Sequence, residues 1–157
     1  MCGIIGGVGR SANSFVNLKY TLLQHRGPDN FGLYTGDLAA FAHVRLSILD
    51  LSENSNQPLV SSDKIICFNG EIYNFKSLGI DFFDEDFPSD TLFISKFLSF
   101  YSLEELVGVS YGMFAISVYN KSTKTLEIAR DLNGEKPLYY TEVENDGILF
   151  SSEMTPL

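Results

Sequence analysis

An α+β fold, two antiparallel sheets stacked with helices outside them, is what this 157-residue chain predicts. Eight or nine short segments rich in β-branched and aromatic residues recur along it, separated by Asn-Gly, Asp-Gly and other polar turns. Two stretches, one near Ser14 and one near Ser89-Asp90, instead space apolar residues at three and four, as a helix does. The last four strand segments follow one another across turns with no helix between them, which suits antiparallel pairing. The length fits one domain that buries about two thirds of its unfolded surface without a disulfide framework.

Met1-Cys2-Gly3-Ile4-Ile5-Gly6-Gly7-Val8-Gly9 opens the chain as a short apolar run, read as a buried strand whose glycines admit other backbone. Methionine is trimmed readily before a small residue, so Cys2 is expected to become N-terminal, with thiol and α-amine on one residue. The thiol is only a few per cent ionised at neutral pH, whereas an α-amine titrates at about 7.7 to 8.0 and can take its proton. The alternative is an inert core cysteine. Ser14 is placed to cap a helix carrying Phe15, Leu18, Leu22 and Leu23, which Gly27-Pro28 stops. Phe31 to Tyr34 and Leu38 to Val44 read as a hairpin. Arg45 follows among β-formers. A guanidinium cannot shed its charge, so it needs an acid, a bound anion or solvent at a strand edge.

Leu51 to Pro58 is loop by composition, and Lys64 to Phe68 a strand in which Cys67 reads as core. Asn69-Gly70 at its end is expected to be a turn. The same pair is also one way to aim an amide side chain and an unobstructed N–H into one space, as an oxyanion hole requires. Gly79 to Asp90 reads as an irregular acidic stretch whose spacing does not match a calcium loop. Ser89 or Asp90 caps a helix through Tyr101, with a short helical turn over Leu103 to Val107. Tyr111 to Tyr119, Leu126 to Arg130, Leu138 to Thr141 and Gly147 to Ser151 complete the strands. The thirteen Phe and eight Tyr are expected in a β-rich core.

The net charge of −9 and scattered Lys and Arg disfavour nucleic-acid and anionic-membrane partners. No long apolar run or signal peptide appears, and Cys2 and Cys67 read as free thiols, so the expected compartment is the cytoplasm. Zinc, nucleotide-loop and serine-hydrolase motifs are absent, and no metal site is expected. A cysteine–histidine pair drawn from Cys2, Cys67, His25 and His43 rests on residue types alone. His43, inside an apolar strand, reads as a structural histidine with its hydrogen bonds satisfied.

Met1-Cys2-Gly3-Ile4, His25-Arg26-Gly27-Pro28-Asp29, Arg45-Leu46-Ser47-Ile48-Leu49-Asp50, Gln57-Pro58-Leu59, Asn69-Gly70-Glu71-Ile72-Tyr73-Asn74, Ser89-Asp90-Thr91, Gly112-Met113-Phe114-Ala115 and Arg130-Asp131 through Tyr140 together resemble the class II glutamine amidotransferase domain of glutamine-hydrolysing asparagine synthetases. The resemblance implies an N-terminal-nucleophile hydrolase with a four-layer αββα fold that converts L-glutamine to glutamate and ammonia. It implies that Cys2 attacks the side-chain amide to form a γ-glutamyl thioester, and that Asn69 and the Gly70 N–H hold the oxyanion. Arg45 is implied to pair with the substrate carboxylate and Asp90 with its ammonium, Glu71 and the backbone of Leu46, Ser47, Ile48 and Leu49 lining the pocket. A free amino acid is a zwitterion, so one fixed cation and one fixed anion suit it independently of the resemblance.

Leu92 stands where the family usually has Glu, and Arg130 through Tyr140 departs from the usual Arg-Asp-x-Phe-Gly-x-Lys-Pro-Leu-Tyr-Tyr at Asn133, where the family has Phe. The ATP-pyrophosphatase loop of the synthetase domain is not in this sequence. Residues 1–157 are therefore expected to be a glutaminase domain incomplete at its C-terminus, the alternative being a separate subunit. ATP and magnesium belong to the missing synthetase domain or subunit, the expected acceptor of ammonia, and this chain needs no cofactor. A non-catalytic glutamine-binding or regulatory domain, and a subunit serving another carboxylate acceptor, are the competing readings. The oligomeric state is left open, a homo-oligomer included.

Overall fold

β1 (Gly3–Val8) is the central strand of a five-stranded antiparallel sheet. It pairs on one side with β3 (Ala39–Arg45), Gly3 opposite Val44, and on the other with β9 (Gly147–Ser151), Ile5 opposite Ser151. β2 (Asn30–Thr35) and β8 (Tyr139–Val143) are its edges. The computed structural model describes residues 1–46 and 52–157. Among these, β4 (Leu59–Val60), β5 (Lys64–Ile72), β6 (Gly112–Asn120) and β7 (Thr125–Arg130) form a second antiparallel sheet in that order.

Period-two alternation sorts the side chains of both sheets onto two faces. Ile4, Phe41, Ile65, Cys67, Ala115, Tyr119 and Phe150 fill the layer between the sheets. Ile5, Ala40, Ala42 and Val44 face outward and are covered by Ala12 and Val16 of α1 (Ala12–Lys19) and by Leu23 of the 3-10 stretch Tyr20–Arg26. Ile66, Phe68, Ile116 and Val118 are covered by α2 (Phe75–Phe83), α3 (Asp90–Phe100) and α4 (Leu103–Val109). The result is a four-layer α-β-β-α sandwich, the α+β class the sequence predicts, and no helix among the described residues is long and apolar enough to cross a membrane.

Several elements depart from expectation. The first helix starts at Ala12 and gives way to 3-10 geometry at Tyr20. Its buried face is Ala12 and Val16, small enough to settle against Ala40 and Ala42, while Leu18 and Leu22 are exposed. Part of the expected acidic loop is α2, whose Phe75 and Leu78 bury against the second sheet. Gly79, the expected start of the irregular stretch, lies inside that helix, and the chain returns closely over it. A Cβ there would stand 2.6 Å from the Glu85 carbonyl oxygen. α4 is longer than expected and starts on a capping box, Ser102 Oγ accepting from Glu105 N–H and the Glu105 carboxylate from Ser102 N–H.

The phenylalanines are not confined to strands. Phe82, Phe93 and Phe97 on α2 and α3 build a cluster of edge-to-face and tilted rings with Phe87 and Tyr101, with centroids 5.0 Å apart for Phe82–Phe97 and 5.6 Å for Phe87–Phe93. Asn69-Gly70 is not a turn either. β5 continues through it to Ile72, with Gly70 opposite Phe114.

Candidate active site

The alternation that fills the layer between the sheets also builds the site at its end. Cys2 precedes Ile4 by two residues, His43 and Arg45 follow Phe41 by two and four, and Asn69 and Glu71 follow Cys67 by two and four. Each therefore carries the inward-facing series past the last apolar side chain, and the series from β1, β3 and β5 meet around one cavity of about 110 Å³. Met113 of β6 adds a wall, and Ser89, Asp90 and Thr91 at the start of α3 close it from the helical side.

Cys2 sits on a fixed base. The Ile4 N–H donates to Ser152 Oγ at 2.9 Å, and the Ser152 N–H donates to the Ile4 carbonyl at 2.8 Å. Arg26 Nε donates to the Cys2 carbonyl at 3.0 Å while its Nη1 is 2.9 Å from Glu153 Oε1, which His25 Nε2 also meets at 2.9 Å. Burial pushes the Glu153 carboxyl up, but Arg26 and His25 outweigh this and hold it below its ordinary value. The thiol lies against Leu46, whose N–H donates to Sγ at 3.4 Å and whose carbonyl accepts from it at 3.5 Å. Cys67, by contrast, is buried in the core, and desolvation pushes its thiol far up, which removes it as a nucleophile.

Across the cavity, Asn69 is 1% exposed and its Nδ2 donor has no hydrogen-bond partner among the described residues. Buried amide donors are nearly always satisfied, which sets this one apart from an ordinary core amide. Gly70 beside it is required by close packing. Its φ is 156°, and a Cβ would stand 2.1 Å from the Met113 carbonyl oxygen. Asp90 accepts from the Ile72 N–H at 3.1 Å and the Thr91 N–H at 2.8 Å, and Ser89 caps α3. Burial raises the Asp90 carboxyl to about 6, against its two backbone bonds and helped by the charge of Glu71. Arg45 is buried in the wall, its Nη1 donating to the Ser52 carbonyl at 2.8 Å and to Asn56 Oδ1 at 2.7 Å.

The structure thus brings together Cys2, Arg45, Leu46, Asn69, Gly70, Glu71 and Asp90. Ser47, Ile48 and Leu49, also expected to line the pocket, lie outside the described residues. Among the further wall residues that were not expected there, His43, Gln57 and Lys136 are polar and reach the cavity in different ways. His43 is there because it continues the Phe41 series, a period-two signal present in the sequence but read as core. Gln57 reaches in to accept the Phe68 N–H at 2.6 Å. Lys136 arrives through tertiary structure alone, its N–H held by Asp131 at 3.0 Å where the chain passes from the second sheet to the first.

A family model described as "Glutamine amidotransferase domain" matches residues 1–157. Over its whole length the chain is 36% identical to "Asparagine synthetase [glutamine-hydrolyzing] 1" of Bacillus subtilis (strain 168), covering 26% of that protein. It is also 36% identical to "Asparagine synthetase [glutamine-hydrolyzing] 3" of Arabidopsis thaliana, again over the whole chain and 28% of the relative. To "Asparagine synthetase B [glutamine-hydrolyzing]" of Escherichia coli (strain K12) it is 35% identical over 87% of the chain and 25% of the relative. The chain therefore spans about a quarter of the length of these curated relatives.

Proposed function

Because this chain belongs to the glutamine amidotransferase domain family, we propose that it is a glutaminase unit that hydrolyses L-glutamine to glutamate and ammonia with Cys2 as nucleophile. The observation that carries this reading is the placement of the Cys2 thiol in one cavity with Gly70, the buried charges of Arg45 and Asp90, and the buried Asn69 Nδ2, which has no partner among the described residues.

With Met1 removed, the Cys2 α-amine takes the thiol proton, and the thiolate, steadied by the Leu46 N–H, attacks the glutamine side-chain carbonyl. The tetrahedral oxyanion is received by Asn69 Nδ2 and the Gly70 N–H, each donor contributing about 3 kcal/mol where charge develops. The amine returns the proton to the leaving nitrogen, which departs as ammonia and leaves a γ-glutamyl thioester. Water, deprotonated by the same amine, then releases glutamate and regenerates the thiol. Arg45 holds the substrate α-carboxylate and Asp90 its α-ammonium, with Glu71 and Leu46 lining the pocket.

This chemistry uses a thiol, an amine and hydrogen-bond donors, so we assign no cofactor or metal to residues 1–157 and take them as one glutaminase domain. The relatives' names place glutamine hydrolysis beside asparagine synthesis. We propose the same pairing here, ammonia passing to an ATP- and magnesium-dependent synthetase domain or subunit in the cytoplasm. Ammonia release from L-glutamine by the chain, lost in Cys2→Ala, tests the reading. Release that persists in Cys2→Ala overturns the nucleophile, and tight glutamine binding without release in the trimmed chain indicates a regulatory glutamine-binding domain instead.

A further inference from the structure

The His43 ring is 1% exposed in the cavity wall, and its Nε2 lies 3.2 Å from the Phe68 carbonyl oxygen. A carbonyl only accepts, so Nε2 carries the ring proton and Nδ1 presents a bare lone pair. Burial, assisted by the nearby charge of Arg45, lowers the His43 pKa to about 4, which keeps the ring neutral at physiological pH. Nδ1 has no hydrogen-bond partner among the described residues, and neither has Nδ2 of Asn69 in the same cavity. One orphan is an acceptor and the other a donor. Each unmade bond of a buried group costs about 1–3 kcal/mol, so an unsatisfied acceptor and an unsatisfied donor buried in the walls of one cavity point to a ligand group that both donates and accepts.

We propose that His43 Nδ1 accepts an N–H of the substrate carboxamide while Asn69 Nδ2 donates to its carbonyl oxygen, making His43 the residue that selects an amide over a carboxylate or an ester. This rests on the reading of the cavity as a glutamine site. A primary amide carries one donor group and one acceptor about 2 Å apart on a single carbon, and no other common side-chain end group of an amino acid offers that pair without charge. A carboxylate or ester oxygen turned toward Nδ1 would set lone pair against lone pair, so the product glutamate is held less firmly than the substrate. The nitrogen keeps N–H bonds as it is protonated and leaves, so the contact with His43 lasts through formation of the thioester.

The experiment compares L-glutamine with L-glutamate γ-methyl ester, which has the carbonyl but no N–H, as substrates of the wild-type chain, His43→Leu and His43→Asn. In His43→Leu, kcat/KM for glutamine is expected to fall about 10- to 100-fold, while kcat/KM for the ester changes by less than about threefold. His43→Asn, which restores an acceptor, is expected to recover part of the amide preference. The ratio is read within one preparation, so loss of folded protein cancels. As a measurement independent of any His43 variant, nitrogen-15 NMR of Cys2→Ala is expected to show the Nδ1 resonance moving upfield with saturating glutamine and not with the ester. Equal losses on both substrates, an unchanged preference or an unmoved Nδ1 resonance overturns the role of His43. A wild-type chain that hydrolyses neither compound overturns the glutaminase reading itself, and this inference with it.

Discussion

Arg26 Nε lies 3.0 Å from the carbonyl oxygen of Cys2, and the same guanidinium is 2.9 Å from the Glu153 carboxylate. Arg26 thus joins the residue proposed as nucleophile to the chain just after β9. A charge-assisted hydrogen bond of this kind is worth about 1.5–3 kcal/mol. Arg26→Ala is therefore expected to lower the rate of glutamine hydrolysis about 10- to 100-fold and to slow alkylation of Cys2, with Glu153→Gln giving a smaller loss. Unchanged steady-state kinetics in both variants would show that the clamp does not orient Cys2.

Asn69 makes a sharper case. Its buried Nδ2 has no partner among the described residues, so Asn69→Ala removes a donor without stranding an acceptor. The expected outcome is a fall in kcat of about 10²- to 10³-fold with KM nearly constant, since the bond forms to an oxygen that becomes charged only in the transition state. A rise in KM at constant kcat would assign Asn69 to ground-state binding instead.

Gly70→Ala should act on the fold. The added Cβ would stand 2.1 Å from the Met113 carbonyl oxygen, on a backbone with φ 156° that L side chains rarely adopt. β6 must move away, and a loss of stability of about 3 kcal/mol or more is expected, read as a lowered Tm. A Tm equal to wild type would contradict the close β5–β6 packing described above.

Asp90 sets a pH dependence whose sign follows from its burial. The carboxyl titrates near 6 rather than at 3.8, so it is charged above about pH 6 and increasingly neutral below. Only the charged form attracts an α-ammonium, so kcat/KM for glutamine should fall as pH drops through 6, by up to about tenfold per unit. Asp90→Asn should lower kcat/KM and remove the added break near pH 6, leaving the fall that protonation of the Cys2 α-amine sets at higher pH; a break near 6 unchanged in Asp90→Asn would assign it to another group. The folded state holds the Asp90 proton where the unfolded chain has released it, so this group's contribution to stability declines as pH rises from about 4 to about 6.

Much of this was legible in the residues because strands advertise their faces. Ile4, Phe41 and Cys67 mark the layer between the sheets, and stepping two residues from each leads to Cys2, His43 and Asn69. The same alternation hid His43, since a lone polar residue in an apolar strand reads as core until its ring nitrogens can be matched to partners. α2 was illegible because Gly79, a helix interruption by propensity, lies inside it, closely covered by the returning chain at Glu85 and Phe87. Asn69-Gly70 carries the signature of a turn, yet the continuous pairing of Lys64–Ile72 with Gly112–Asn120 keeps it inside a ladder. Lys136 could not be placed from sequence at all, because the crossing between sheets that brings it to the cavity is a long-range arrangement.

Cys2, freed of Met1, is proposed as the nucleophile of a glutamine pocket. Intact-mass spectrometry of the purified chain before and after exposure to the glutamine analogue 6-diazo-5-oxo-norleucine, with the adduct mapped by digestion, tests it most directly. The expected result is a chain lacking Met1 that gains a single adduct on Cys2 and is protected by excess L-glutamine. A trimmed chain that takes up no label at Cys2, or labelling indifferent to glutamine, would contradict it.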